Sequence, residues 1–159
     1  MTLRDHARQA LSLLDLTSLN DSDTEAVIEK LCARAVTPHG AVAAVCVWPR
    51  FVALSKARLA GTGVKVAAVA NFPMGTADVA LAAREAAEIV ASGGNEVDVV
   101  FPYNAWLNGD RRVGVELIKA CKAVCGDKAI LKVILETGCL RDQAVVAAAS
   151  TAAIEAGAD

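Results

Sequence analysis

The stretch Glu96-Val97-Asp98-Val99-Val100-Phe101 decides the fold, because it is short, rich in valine and apolar nearly throughout instead of strictly alternating. Three further runs share this character, at residues 42–47, 64–70 and 129–135. Continuous apolar runs of this length are typical of strands that are buried on both faces, as in a parallel sheet. We therefore predict four parallel strands at these positions.

The segments between these strands have the spacing of amphipathic helices. They are rich in Ala, Leu and charged residues, and they cover residues 49–60, 76–92, 110–125 and 140–156. Strand and helix alternate after residue 40, and successive strands start about 22, 32 and 33 residues apart, as expected of βα units. The first 40 residues are predicted to form two helices and no strand.

The pattern favours one α/β domain over residues 1–159, organised as the N-terminal portion of a parallel (β/α)8 TIM-type barrel. Residues 91–95, Ala-Ser-Gly-Gly-Asn, close a helix and lead into a strand, and residues 155–159 are similar. The latter therefore predict another helix end and a turn towards a fifth strand. A complete barrel typically has about 250 residues, so we expect about half of one here. An open doubly wound sheet is the alternative.

Composition and charge argue against several classes of protein. The formal net charge is −2 and the Lys and Arg residues are scattered, which disfavours nucleic acid as a partner. No apolar run approaches the roughly 20 residues that cross a bilayer, so no membrane association is expected. Five cysteines, an odd number, and an N-terminus without an apolar leader predict a reduced, cytoplasmic protein.

Two ionisable residues interrupt the predicted buried strands. Asp98 shares a strand face with Glu96 and Val100. A carboxyl among apolar neighbours is expected to have a raised pKa, which suits a group that gives and takes protons near neutral pH. Lys132 interrupts the next strand, where it either pairs with Asp98 or is an amine nucleophile that forms an imine. A structural ion pair without catalysis is the alternative for both residues.

Three further residues lie near predicted element ends. Asp15 and Thr17 are predicted to end the first helix, and Cys46 lies near the end of the first predicted strand. A plain helix end and a small buried hydrophobe are the structural interpretations of these residues. His6 and His39 are single and distant from any cysteine cluster, so no metal site is predicted. The nucleotide-binding and serine-hydrolase motifs are missing from the sequence.

Taken in order, the polar segments resemble those of the deoxyribose-phosphate aldolase family. The resemblance extends from about residue 8 to the last residue given and rests on specific motifs rather than on the fold alone. The segments that carry it are Asp15-Leu16-Thr17, Cys46, Asn71-Phe72-Pro73, EVDVVFPY at 96–103 and LKVILETG at 131–138.

The resemblance implies a barrel enzyme that reversibly cleaves 2-deoxy-D-ribose 5-phosphate into D-glyceraldehyde 3-phosphate and acetaldehyde, through a lysine imine and without a metal or other cofactor. Asp98 matches the family's acid/base aspartate, and Lys132 matches an active-site lysine that does not form the imine. Asp15, Thr17 and Cys46 match residues near the substrate sugar. The implied partners are sugar phosphates and aldehydes, and we expect a homo-oligomer, in the simplest case a dimer.

The family's imine-forming lysine is expected on a strand beyond Asp159, so the resemblance implies that these 159 residues alone are inactive. A second hypothesis is a non-catalytic assembly module, in which two half barrels associate through their open strand edges. A third is a cysteine-dependent, aldehyde-reactive protein centred on Cys46. The first hypothesis is favoured, because only an enzyme explains why Asp98 and Lys132 both interrupt apolar strands.

Overall fold

The computed structural model describes residues 1–159 and contains seven strands. The four predicted strands correspond to the last four, with bounds that differ by at most two residues. The strands are β1 (Asp15–Thr17), β2 (Val36–Thr37), β3 (Gly40–Ala41), β4 (Ala44–Val47), β5 (Lys65–Ala70), β6 (Glu96–Val100) and β7 (Ile130–Ile134).

The chain also contains eight α-helices, of which α1 precedes the first strand and α7 and α8 follow the last one. The helices are α1 (Leu3–Ser12), α2 (Glu25–Arg34), α3 (Val52–Arg58), α4 (Val79–Ala91), α5 (Tyr103–Leu107), α6 (Arg111–Cys125), α7 (Thr137–Leu140) and α8 (Gln143–Glu155), and a 3₁₀ turn (Pro49–Phe51) precedes α3. The three long helices α4, α6 and α8 are each preceded by an N-cap aspartate whose side chain accepts a hydrogen bond from a backbone N–H of the first turn. These aspartates are Asp78, Asp110 and Asp142. None of the helices combines the length and apolar content of a membrane span.

Five strands form one parallel sheet in the order β1-β4-β5-β6-β7, and β2 and β3 form a separate antiparallel hairpin. The order of the sheet follows the order of the chain without reversal, which is the arrangement of a barrel wall and not of a doubly wound sheet. The register places Asp98 of β6 beside Lys132 of β7 and Val69 of β5. Side chains on neighbouring strands can therefore meet on one face.

The prediction that the first 40 residues contain no strand is wrong. Asp15, Leu16 and Thr17 do not end the first helix, which stops at Ser12, but form β1 and pair in parallel with β4. This strand is only three residues long and has one apolar side chain, so it carries no run that the sequence pattern could reveal. Its backbone is ordered by pairing with β4, and it adds a fifth strand to the sheet.

The central strands β4, β5 and β6 are buried on both faces of the sheet, but the side chains on one face are smaller than those on the other. On the helix-covered face, strand residues such as Val45, Val97 and Leu131 join a core of 31 buried residues. On the opposite face a smaller cluster consists of Ala44, Cys46, Ala67 and Val69. Small side chains leave room above this second face for longer polar groups.

The similarity between residues 91–95 and 155–159 is confirmed by their hydrogen bonds. Asn95 donates its backbone N–H to the Val66 carbonyl at 2.8 Å, and Asp159 donates its own to the Leu131 carbonyl at 3.0 Å. Each side chain also accepts from the backbone N–H of that same strand residue, at 3.1 Å and 2.9 Å respectively. The two helix–turn segments therefore meet the sheet in the same way.

Candidate active site

Asp98 lies in the middle of β6 on the face that carries the small residues, and it is one of only four buried polar or charged residues in the chain. Its neighbours Val97 and Val99 point to the helix-covered core, because side chains alternate along a strand. Asp98 therefore points to the opposite face, where its carboxyl is largely removed from water.

Lys132 holds the centre of a cluster of charged side chains on this face. Its Nζ atom lies 2.6 Å from Asp15 Oδ2, 2.9 Å from Glu96 Oε2 and 3.2 Å from Asp98 Oδ1. We call these four residues the acid–lysine cluster. With three carboxylates around one ammonium, the cluster has an excess of negative charge when all its acids are ionised.

The contact between Lys132 and Asp15 shows that the sheet is strongly rolled. These residues belong to β7 and β1, the two edge strands, with three strands between them. In a flat sheet the edge strands would be roughly 19 Å apart, farther than the two side chains reach together. The face that carries the cluster is therefore concave, as on the inside of a barrel wall.

Cys46, on β4, contacts the acid–lysine cluster through Asp98. Its Sγ atom lies 3.8 Å from Asp98 Oδ2, within the range of a thiol hydrogen bond. The other carboxyl oxygen, Asp98 Oδ1, is buried and lies 3.2 Å from Lys132 Nζ, in a contact that lacks the geometry of a regular hydrogen bond. Asp98 thus has one oxygen held by a thiol and one that contacts only the Lys132 ammonium.

Burial raises the pKa of Asp98 above its ordinary value, and it outweighs the opposing attraction of Lys132. Burial and the nearby Asp98 charge also raise the pKa of the Cys46 thiol to about 12. Burial lowers the pKa of Lys132, but hydrogen bonds to Asp15 and Glu96 and the charge of Asp98 outweigh it, so this pKa is raised overall. At neutral pH the site therefore holds a protonated thiol, a charged lysine and an acid that accepts protons readily.

Of the predicted site residues, the structure brings together Asp15, Cys46, Asp98 and Lys132. Thr17 lies two residues beyond Asp15 on the edge strand, but its hydroxyl donates to the backbone carbonyl of Asp15 at 3.2 Å and makes no hydrogen bond to the charged side chains of the cluster. Glu96 is a member that the predicted set of site residues leaves out. The alternation of β6 places it on the same face as Asp98, which was the available signal.

Two loops at the carboxyl end of the sheet border the concave face. Trp48 follows β4 and Phe72 follows β5, and their rings meet edge to face with centroids 5.5 Å apart. Both rings pack against the small-residue cluster beneath them. Asn71 anchors the second loop, since its side chain donates to the carbonyls of Thr76 and Val100 at 2.9 Å and 3.0 Å. The open end of the site is therefore lined by ordered apolar side chains.

A strongly rolled parallel sheet with a buried acid and a charged lysine on its concave face defines a class of protein, the parallel α/β barrels with a polar site on the inner face. The model of the DeoC/LacD aldolase family matches residues 9–159. The chain belongs to the DeoC/LacD aldolase family.

Solved structures agree with this assignment and confirm the partial-barrel fold. A protein of Coccidioides immitis, provisionally designated a deoxyribose-phosphate aldolase, is 34% identical with a TM-score of 0.84, and the match covers 96% of this chain and 58% of that one. A similarly designated protein of Toxoplasma gondii is 27% identical, with a TM-score of 0.86 and coverage of 98% and 59%. A deoxyribose phosphate aldolase of Aeropyrum pernix, described as tetrameric, is 26% identical, with a TM-score of 0.79 and coverage of 96% and 62%. The chain thus spans about three fifths of the length of these structures.

Proposed function

We propose that the whole protein to which this chain belongs is a deoxyribose-phosphate aldolase, which reversibly cleaves 2-deoxy-D-ribose 5-phosphate into D-glyceraldehyde 3-phosphate and acetaldehyde. The observation that carries the proposal is Asp98, a buried acid of raised pKa between a thiol and an ammonium. Such an acid can both accept and return a proton near neutral pH. The names of the similar structures support the choice of substrate.

In this proposal Asp98 transfers the proton when the carbon–carbon bond breaks or forms. Lys132 positions the surrounding carboxylates through its ion pairs with them. An imine requires a neutral amine as its nucleophile. Lys132 is held as a cation by three carboxylates, so we assign it no nucleophilic role. Asp15, Thr17 and Cys46 are proposed to lie near the sugar. The high pKa of Cys46 gives no support to a cysteine-dependent reaction.

The imine itself is the most specific property to test. We expect the whole protein, treated with acetaldehyde and borohydride, to carry one reduced adduct on a lysine other than Lys132, as identified by peptide mass mapping. Reduction of a lysine imine leaves a permanent adduct, so a negative result is informative. An adduct on Lys132 would contradict the role assigned to this residue, and a protein without any adduct would contradict the proposed function.

Assembly is the second candidate role, and exposed apolar side chains at the β7 side of the sheet favour it. Ile130 of β7 is 48% exposed and Ile154 of α8 is 65% exposed. We propose that the protein forms a homo-oligomer, and that a non-catalytic assembly through these residues is the alternative to the enzyme. Light scattering on Ile154→Asp tests this: loss of the oligomer supports assembly through this side, and an unchanged mass contradicts it.

We further propose that the chain acts as one domain in the cytoplasm. All five cysteines are free, and four of them are buried. The long helices α4, α6 and α8 share one core with the strands, which supports a single folding unit. A reducing compartment suits this cysteine content. Fractionation of cells that express the tagged protein would test its location.

A further inference from the structure

Glu96 is a largely buried carboxylate in contact with Lys132, although neither the sequence motifs nor the family resemblance assigns it a role. Its Oε2 atom lies 2.9 Å from Lys132 Nζ, and its side chain is only 12% exposed. It stands two residues before Asp98 on the same face of β6. A largely buried carboxylate is costly to a fold unless it is paired, and Lys132 is its partner.

We propose that Glu96 is a positioning residue which, together with Asp15, draws the Lys132 ammonium away from Asp98 and so weakens the stabilisation that this ammonium gives to ionised Asp98. The three distances from the ammonium support this, because Asp98 is its most distant carboxylate. Lys132 Nζ is 2.6 Å from Asp15 and 2.9 Å from Glu96, but 3.2 Å from Asp98. The contact of Asp98 Oδ1 with the ammonium is thus the longest of the three and lacks the geometry of a regular hydrogen bond. The inference rests on the proposed function, in which Asp98 carries the proton.

The titratable groups that face Asp98 come from four strands of the sheet. Asp15 comes from β1, Cys46 from β4, Glu96 from β6 and Lys132 from β7. The facing residues of β5 are apolar, Ala67 and Val69. Lys132 is the only cation among these groups, so how its charge is shared among three carboxylates decides how strongly it stabilises ionised Asp98.

Removal of the Glu96 charge acts on Asp98 in two ways, and both lower the pKa of Asp98. A negative charge that disfavours ionisation of Asp98 is lost, and the ammonium is freed to move closer to Asp98. Each change stabilises the ionised form of Asp98. The pKa of Asp98 should therefore fall when Glu96 becomes neutral.

The test is a carbon-13 NMR titration of the Asp98 carboxyl in the wild-type chain and in Glu96→Gln. We expect the midpoint to fall by about one pH unit, on the scale of a close charge contact. Glu155→Gln is the matched control, because it removes the same charge from an exposed position on α8 and should leave the midpoint unchanged. Glu96→Asp keeps the charge and should restore at least half of the shift. An unchanged or raised midpoint in Glu96→Gln would overturn the proposal.

The titration requires no catalysis, so the two proposals can fail separately. In the whole protein, Glu96→Gln should also move the acid limb of the kcat/KM profile to lower pH, because a base of lower pKa stays ionised in more acidic solution. If the protein is active but Glu96→Gln changes neither the midpoint of the Asp98 titration nor the acid limb of the kcat/KM profile, the inference about Glu96 is refuted and the proposed function is not. A protein with shifted titration but no acetaldehyde release would refute the proposed function and leave the contact between Glu96 and Lys132 standing.

Discussion

At the scale of single residues, the site consists of charged side chains at strand positions where the sequence pattern predicts apolar ones. Asp98 and Lys132 could be predicted as site residues from sequence because each interrupts a buried run. For Glu96 the only signal was the strand alternation that places it on the face of Asp98, and its position as the first residue of β6 does not interrupt the apolar run. The contact of Lys132 with Asp15 depends on the curvature of the sheet, which local sequence does not encode.

The raised pKa of Asp98 predicts a specific dependence of stability on pH. An acid whose pKa is higher in the folded state stabilises the fold most when protonated, and that contribution is lost as the pH rises through the raised pKa. Asp98→Asn remains neutral throughout. We therefore expect the free energy of unfolding, measured in urea, to fall more for wild type than for Asp98→Asn as the pH rises from the ordinary pKa of an aspartate through the raised pKa of Asp98.

The matched control for this prediction is Asp127→Asn, which changes an exposed carboxylate that makes no hydrogen bond or ion pair. It should follow the wild-type dependence on pH. Equal losses of unfolding free energy in wild type and Asp98→Asn would show that Asp98 titrates as an ordinary surface acid does.

At the scale of elements, the long helices and the strands with continuous apolar runs were predictable, and the short elements without such runs were not. β4 to β7 have continuous apolar runs, and α4, α6 and α8 have aspartate caps and helical spacing. β1, α5 and α7 have five residues or fewer and no continuous apolar run, so neither a strand pattern nor a helical period can be recognised within them. Their positions are set by contacts with the longer elements, and β1 nevertheless supplies Asp15 to the site.

The two loops that follow β5 and β6 pack together at a glycine. Gly75 has φ +57°, and a Cβ atom there would lie 2.6 Å from the Phe101 carbonyl oxygen and 2.8 Å from the Tyr103 ring. We expect Gly75→Ala to lower the free energy of unfolding by about 3 kcal/mol or more, through backbone strain and overpacking together. Urea unfolding monitored by circular dichroism measures this change.

Gly61→Ala separates the two causes, because Gly61 has φ +78° but no heavy atom within 4 Å of its added Cβ. It should cost only about 1 kcal/mol, the strain of the left-handed backbone. If both substitutions cost the same, the close approach of the two loops at Gly75 would have no energetic consequence.

At the scale of the whole molecule, the fold class and the family could be predicted, because the motifs fall at the ends and centres of strands that the pattern itself reveals. The roll of the sheet could not. It brings the edge strands β1 and β7 close enough for Asp15 and Lys132 to form an ion pair. That curvature gathers residues 117 positions apart in sequence into one site on the concave face.

The most direct test of the account is acetaldehyde release from 2-deoxy-D-ribose 5-phosphate by the whole protein, with Asp98→Asn compared with Asp127→Asn. We predict that Asp98→Asn lowers kcat by about 100-fold or more, the usual contribution of a positioned acid/base group, while Asp127→Asn keeps the wild-type rate. A wild-type protein that releases no acetaldehyde, or an Asp98→Asn variant as fast as wild type, would contradict the account.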